Sequence, residues 1–177
     1  LIEFLELVQI EQARLSKLAF RMPIQWVNRP NQDFRGFSGT VVSGTVQAGQ
    51  RIRVQPSGPE VDIARIVTKD GDLSQAVAGQ AVTITLAQEV DATRGDMFST
   101  AQAPATVADQ FQAHVVWMTE ERLMLGRSYW LKCGTQTVNA SITKINHQIN
   151  VNTLEHVAVE KLEVNAVAEC NLTTDKP

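Results

Sequence analysis

The stretch RGFSGTVVSGTVQAGQRIRV (35–54) carries glycines at every fifth position, Gly39, Gly44 and Gly49, between short runs of valine, threonine and isoleucine. A phosphate-binding loop of the GxxxxGK[ST] type has the spacing of the first two glycines, but it also needs a lysine and a hydroxyl residue after the second. A threonine and a valine stand there instead. We therefore interpret the glycines as positions where the chain turns or where two backbones approach closely. The short strands between them are rich in β-branched residues, as in a small closed barrel.

Alternating apolar residues predict further strands on both sides of this stretch. Phe20, Met22, Ile24 and Trp26 alternate with polar residues and proline, which predicts one half-buried strand with these four side chains on the same face. The other expected strands cover 61–66 and 81–87 in the first half, and 111–118, 128–134 and 135–145 in the second, with a hairpin at Gly134 and irregular chain over 157–164.

The spacing of these strands predicts an all-β chain of two small β-barrels. We expect the barrels over 17–101 and 107–177, joined by a linker at 102–106 within the polar stretch STAQAPATVADQ (99–110). Residues 1–16 have the apolar spacing of a short amphipathic helix and its linker, and we expect them to be the end of a domain that lies upstream. Less than a fifth of the chain should be helical.

Composition excludes several classes of protein. The 177 residues include 16 basic and 19 acidic side chains, for a formal net charge of -3, so no basic stripe is available to neutralise a nucleic-acid backbone. No apolar run reaches the roughly 20 residues that span a bilayer. Cys133 and Cys170 match no metal motif, and we expect two reduced thiols in a cytoplasmic protein without nucleic-acid or membrane partners.

No catalytic, cofactor-binding or metal-binding site is visible in the sequence. The histidines are far apart along the chain, without a partner at metal-ligand spacing, so we expect each to be structural or exposed. The paired carboxylates near turns are typical of solvated strand ends. These histidines and carboxylates are His114, His147, His156, Asp70, Asp72, Glu120 and Glu121.

With the strands placed, the sequence resembles a known family. The runs FRMPIQWV (20–27), GTVVSGTVQAGQRIRVQPSG (39–58), AGQAVTITL (78–86) and DATRGDMFS (91–99) follow the second β-barrel of translation-factor-type GTPases. Within that superfamily, VNRPNQDFRGFSG (27–39), ARIVTKDGD (64–72) and VVWMTEERLMLGRSYWLKCG (115–134) are similar to the large, GTPase subunit of bacterial sulfate adenylyltransferase, including its nodulation-protein form. The resemblance is weakest over 146–177.

The resemblance implies a parent enzyme that works with a small catalytic subunit to make adenosine 5'-phosphosulfate and pyrophosphate from ATP and sulfate, driven by GTP hydrolysis. The GTP and magnesium sites of that family lie on an upstream GTPase domain, and Asn28-Arg29 is followed by Pro30 and Asn31 rather than completing a guanine-reading NKxD. We therefore expect a non-catalytic region that contacts the small subunit and its own GTPase domain. The alternative is a tRNA- or partner-binding barrel module of a translation-factor GTPase.

The segment VNRPNQDFRGFSG (27–39), called the insert below, supplies the candidate interface. An elongation factor runs directly from strand to RGTVVTG, whereas this chain inserts polar, arginine and aromatic residues. Loops of this composition are found both as contact surfaces and as solvated connections, and the two alternatives remain open on composition alone. The candidate residues are Asn28, Arg29, Asn31, Asp33, Phe34 and Arg35.

Because both nucleotide motifs are missing, we expect the isolated chain to have no measurable affinity for GTP. Isothermal titration calorimetry with GTP and magnesium should give no binding signal. Micromolar affinity in that titration would contradict the assignment of the chain to a region outside the nucleotide site.

Overall fold

The computed structural model describes residues 12–177, with side chains described from residue 14. The expected helix over 1–16 lies mostly outside the described residues; its described part is α1 (Gln12–Ser16). The chain divides into two compact units. The first runs to Thr106 and includes Gly134–Gln136, and the second comprises Val107–Cys133 and Thr137–Pro177.

All other regular elements in the described part of the chain are β-strands, and all the strand pairings are antiparallel. The first unit contains β1 (Arg21–Pro23), β2 (Trp26–Asn28), β3 (Gly36–Thr40), β4 (Thr45–Gln47), β5 (Arg51–Gln55), β6 (Glu60–Thr68), β7 (Gly71–Leu73), β8 (Gln75–Val77), β9 (Ala81–Leu86) and β10 (Met97–Thr100). The second contains β11 (Gln110–Trp117), β12 (Ser128–Cys133), β13 (Gln136–Ile149), β14 (His156–Val157) and β15 (Ala166–Thr174).

The first unit is a barrel that closes through two strands adjacent in sequence. Its main sheet has the order β1-β10-β5-β6-β9-β3-β2, so β1 and β2 stand at opposite ends of the path although only two residues separate them. Ile24 N donates to Asp96 O at 2.8 Å on the β10 side, and Gln25 N donates to Ser38 O at 2.8 Å on the β3 side. The chain thus passes from one end of the strand path to the other, which joins the two ends of the sheet into a closed barrel.

The barrel interior is filled by the side chains that alternate inward along these strands. Phe20, Met22 and Ile24 are at most 1 % exposed, as expected from the sequence. The rings of Phe37 and Phe98 meet edge to face with centroids 5.4 Å apart. The core is therefore built mainly from aromatic and β-branched residues of the predicted strands.

Two of the evenly spaced glycines allow close packing at the closure. A Cβ on Gly39 would collide with the carbonyl oxygen of Pro23, and a Cβ on Gly44 would collide with the backbone of Phe20. Gly44 also has a φ of 74°, a backbone conformation in which a residue with a side chain would be strained. The sequence interpretation of these glycines as points of close backbone approach is confirmed.

The prediction of one continuous strand over 20–26 is wrong. Met22 lies in β1 and Trp26 in β2, and the chain changes its pairing partner between the two strands. Met22 and Trp26 therefore do not share one face of a single strand. Val27 packs against the core, while Trp26 points outward opposite Ser38 and is 60 % exposed. Trp26 is therefore a surface aromatic rather than a core residue.

The second unit is an antiparallel sheet in the order β11-β15-β13-β12, with β14 paired to β13. The hairpin predicted at Gly134 is confirmed between β12 and β13, although β13 continues to Ile149, beyond the predicted end. β15, the strand that lies between β11 and β13, was not predicted from the sequence. Its inward side chains include Ala166, Ala168 and Cys170, which are too small to give a strong apolar alternation.

The polar stretch 99–110 is only partly a linker. Ser99 belongs to β10 and is fully buried, and Gln110 begins β11. Between them, the linker is attached to the first barrel by side chains of β1 and β5. Arg21 Nη2 donates to Ala103 O at 2.7 Å, while the buried Gln55 side chain donates to Ala105 O at 2.6 Å and accepts from Ala105 N at 2.8 Å.

We predict that Gln55→Ala destabilises the first barrel by about 1–3 kcal/mol, because it removes a buried side chain that satisfies both polar groups of one linker residue. Urea unfolding of the purified chain measures this loss. Gln75→Ala is the matched control, since its side chain is exposed, and it should change the free energy of unfolding by less than about 0.5 kcal/mol. Equal effects of the two variants would show that Gln55 does not hold the linker.

Candidate functional site

The candidate insert is the loop of a hairpin. Trp26 pairs with Ser38, Val27 with Phe37 and Asn28 with Gly36, so residues 29–35 connect the ends of β2 and β3. The loop in the structure is thus shorter than the insert identified in the sequence, because Asn28 and Gly36 already belong to the strands. Both ends of the loop are fixed by this pairing to the first barrel.

Within the loop, Phe34 folds back onto the barrel. Its side chain is half-buried, and its ring lies over the backbone at Gly36. A Cβ added to Gly36 would stand 2.8 Å from Phe34 Cε1 and 2.5 Å from Thr83 Cγ2. Gly36 therefore makes room for the Phe34 ring, and Phe34 anchors the loop rather than projecting into solvent.

Arg35 is also turned towards the barrel. Its guanidinium carbon lies 5.3 Å from the centroid of the Phe37 ring, within the range of a cation–π interaction. Phe37 itself is a core residue that is 2 % exposed. Arg35 therefore covers the outer edge of a core aromatic ring while keeping its charge at the surface.

The remaining candidates, Arg29, Asn31 and Asp33, are exposed. Asp33 N donates to Asn31 Oδ1 at 3.1 Å, a local turn that shapes the loop tip. Among the contacts of the described residues, no ion pair involves Arg29 or Asp33. Of the candidate residues, these three present the side chains that are available to a partner.

A groove of about 320 Å³ runs beside the insert, between the loop and the end of β9. Arg29 and Arg35 line it together with Arg65, which lies on β6. Arg65 makes a two-pronged ion pair with Asp72, at 2.6 Å and 2.9 Å, which lowers the pKa of Asp72 and raises that of Arg65. The Arg65 charge is thus paired within the fold. The groove is also lined by the carboxylates of Asp33 and Glu89, so its remaining charges are of both signs.

Two features near the insert were not predicted from the sequence. Trp26 is exposed on β2, two residues before Asn28, because the strand changes partner there. Thr85 lines the groove, and its buried hydroxyl has no hydrogen-bond partner in the described structure. The pairing change that exposes Trp26 depends on contacts distant in sequence, so no local pattern could have predicted it.

The histidines set aside in the sequence analysis lie together in the second unit. His114 and His147 flank Glu169, and the rings of His147 and His156 stack. Among the described residues, no group of three or more His, Cys, Asp or Glu side chains has metal-binding geometry. Both cysteines are free thiols, and burial raises the pKa of Cys170.

Comparison with known proteins gives the family of the chain. Residues 37–99 match the family model of elongation factor Tu domain 2, and residues 110–177 match the model described as GTP-eEF1A C-terminal domain-like. "Bifunctional enzyme NodQ" of Azospirillum brasilense is 54 % identical over 157 residues, 89 % of this chain and 25 % of that protein. "Sulfate adenylyltransferase subunit 1" of Methylorubrum extorquens is 46 % identical over 176 residues, 99 % of this chain and 37 % of that protein. The chain belongs to the sulfate adenylyltransferase subunit 1 family.

Solved structures agree on the fold. A structure of sup35 complexed with GDP superposes with a TM-score of 0.83 at 17 % identity, covering 100 % of this chain and 44 % of that one. Elongation factor SelB of Methanococcus maripaludis gives 0.77 at 19 % identity, with 99 % and 38 % covered. The two-barrel expectation for this member of the sulfate adenylyltransferase subunit 1 family is confirmed.

The chain spans about a quarter to just over a third of the length of these sulfate adenylyltransferase relatives. Among the described residues, no helix is both long enough and apolar enough to cross a membrane.

We predict that Gly36→Ala and Phe34→Ala each destabilise the barrel, the first by about 1–3 kcal/mol because the added methyl group overpacks the site. The double variant should cost less than the sum of the two, since removing the Phe34 ring relieves part of that crowding. Urea unfolding of the four proteins in this cycle measures the coupling. Strictly additive costs would show that Phe34 does not pack on Gly36 in solution.

Proposed function

We propose that the chain is the two-barrel region of the GTP-hydrolysing subunit of a sulfate adenylyltransferase. The observation that carries the proposal is the identity along nearly the whole chain with proteins named sulfate adenylyltransferase subunit 1 and NodQ. The parent protein then acts in sulfate assimilation and cysteine biosynthesis in the cytoplasm. It is a nucleotidyltransferase subunit whose partner is a small catalytic subunit.

The proposed reaction joins sulfate to the adenylyl group of ATP, giving adenosine 5'-phosphosulfate and pyrophosphate. The product contains a mixed anhydride of high energy, so its formation needs a second source of free energy. GTP hydrolysis on an upstream domain, with magnesium at the phosphates, supplies that free energy in this proposal. No residue of the present chain takes part in either chemical step.

The role of the barrels is to carry a local change at the nucleotide to the partner enzyme. A switch that reorders short loops needs a stiff body to move a distant surface. The first barrel has the required stiffness, because its sheet closes on itself and its linker is held by Arg21 and Gln55. The exposed part of the insert, Arg29, Asn31 and Asp33, is the proposed contact with the small subunit or the GTPase domain.

A tRNA-binding module is the second candidate, favoured only by the fold shared with sup35 and SelB. The net charge of -3 opposes it, because tRNA binding relies on neutralising phosphates with basic side chains. Filter binding with aminoacylated tRNA separates the two candidates. Retention of tRNA at physiological salt, with no effect of the chain on a sulfate adenylyltransferase, would favour the translation module.

The contact proposal predicts that Arg29→Ala, Asn31→Ala and Asp33→Ala together weaken assembly in the full-length parent. Interface hot spots are enriched in arginine and cost about 2 kcal/mol or more on truncation, which lowers affinity roughly thirtyfold. The variant should fold normally, since these side chains are exposed and Phe34 remains. Pull-down of the small subunit and GTP-stimulated synthesis of adenosine 5'-phosphosulfate, measured on one preparation, test the prediction.

The matched control replaces Gln47 and Gln75, an exposed side-chain pair 3.3 Å apart on β4 and β8, by alanine. This control should leave both assembly and stimulation unchanged. Unchanged values in the insert variant as well would mean that the loop is only a solvated connection. Loss of both activities in the control would instead point to a general effect of surface substitution.

A further inference from the structure

The groove beside the insert contains a buried hydroxyl group that the fold does not use. Thr85 lines the groove and is 9 % exposed, and its hydroxyl oxygen has no hydrogen-bond partner in the described structure. A buried polar group without a partner destabilises the protein that contains it. The Thr85 hydroxyl is therefore a candidate for a hydrogen bond to a molecule outside the chain.

Strand register places Thr85 on the outer surface of the barrel. Thr85 pairs with Gly36 on β3 and with Arg65 on β6. The side chain of Arg65 is exposed, whereas Phe37 and Ile84, at the alternate positions of β3 and β9, belong to the core. Because side chains alternate between the two faces of a strand, Thr85 lies beneath the groove and not in the barrel interior.

The neighbouring Thr83 shows why the Thr85 hydroxyl is left without a partner. Thr83 lies on the same face of β9, and its Oγ1 is hydrogen-bonded to Ser38 Oγ at 2.8 Å. Thr85 cannot form the equivalent bond, because its partner on β3 is Gly36, which has no side chain. A side chain on Gly36 would collide with the Phe34 ring. The packing of the insert therefore removes the internal partner that Thr85 would otherwise have.

The charges that line the groove indicate what kind of molecule fits it. Apart from the ion-paired Arg65, the charged residues are Arg29, Arg35, Asp33 and Glu89, and these four form no ion pair within the described part of the chain. A small anion would be attracted by two of these groups and repelled by the other two. A polypeptide segment can present charges of both signs, and its amides are uncharged hydrogen-bonding groups for a hydroxyl. The groove therefore fits a protein segment better than free phosphate or sulfate.

The insert builds one side of the groove. Arg29 and residues 32–35 line it from the insert, while residues 85–90 line it from the end of β9 and the chain that follows. An elongation factor has no insert at this place, although it shares the barrels and is itself a GTPase. A groove that depends on the insert therefore fits the partner that distinguishes the proposed enzyme, which is the small catalytic subunit, better than it fits the GTPase domain.

We propose, on the basis of the function proposed above, that the groove receives a segment of the small catalytic subunit and that an amide of this segment is hydrogen-bonded to the Thr85 hydroxyl. Because this hydroxyl is buried in the free chain, the segment displaces side chains that cover it. Arg35 lines the groove from the loop between β2 and β3, so it can move without breaking a strand pairing.

Calorimetric titration of the purified small subunit into the full-length parent tests the proposal. Thr85→Val keeps the shape of the side chain but removes the hydroxyl. Its Kd for the small subunit should rise about three- to tenfold, the usual effect of losing one uncharged hydrogen bond. The midpoint of urea unfolding of the same preparation should stay the same or rise, because the variant no longer buries a polar group without a partner.

Thr83→Val is the matched control, since it makes the same change on the same face of β9. It removes a hydroxyl that is bonded within the fold, so its unfolding midpoint should fall while its Kd stays the same. An unchanged Kd in Thr85→Val overturns the proposal, and altered GTP hydrolysis in that variant would then assign the groove to the GTPase domain. An equal rise of Kd in both variants also overturns it, because the effect would then come from the barrel in general.

Failure of the groove proposal can be distinguished from failure of the proposed function. If the unchanged parent does not bind the small subunit, the proposed function is wrong and the groove proposal with it. If the parent binds and the insert variant is weakened while Thr85→Val binds like the unchanged parent, only the groove proposal is wrong.

Discussion

The first barrel depends on the passage of the chain from β1 to β2 at Ile24 and Gln25. These two residues donate backbone hydrogen bonds to the two end regions of the same sheet, which closes the sheet into a barrel. Phe20 and Met22 enter the core just before this passage, where Gly39 and Gly44 allow the backbones to approach closely. The same passage fixes the insert, because β2 is one of the two strands that the loop connects.

Much of this fold could be predicted from local pattern, and the failures have a common cause. β9 was predicted almost residue for residue, because Val82 and Ile84 are β-branched and alternate with threonines. Trp26 was misplaced because alternation cannot reveal a change of pairing partner, which is set by contacts with β3 and β10. β15 was missed because alanine and cysteine fill its inward positions, and such small side chains carry a weak signal in sequence while still packing tightly.

The loop that carries the candidate residues could be located from sequence, but which of its side chains pack on the barrel could not. The polar and aromatic composition of the insert identified the loop, whereas the packing of Phe34 depends on Gly36 and on Thr83 of a distant strand. The histidines show the same limit. Their separation along the chain suggested three isolated residues, yet strand register brings His114 and His147 to the two sides of Glu169. Long-range pairing, rather than residue type, decides both arrangements.

The anchoring of the insert bears directly on how it can act as an interface. A loop that is ordered only on binding gives up part of its interaction free energy to conformational entropy. Here the β2–β3 pairing fixes both ends, Phe34 packs on the barrel, and Arg35 stacks on Phe37. Arg29, Asn31 and Asp33 therefore lie on a supported loop tip. Much of the conformational entropy of the loop is lost during folding rather than on binding. A partner that recognises this tip binds a preformed surface, and any displacement of the barrel moves that surface with it.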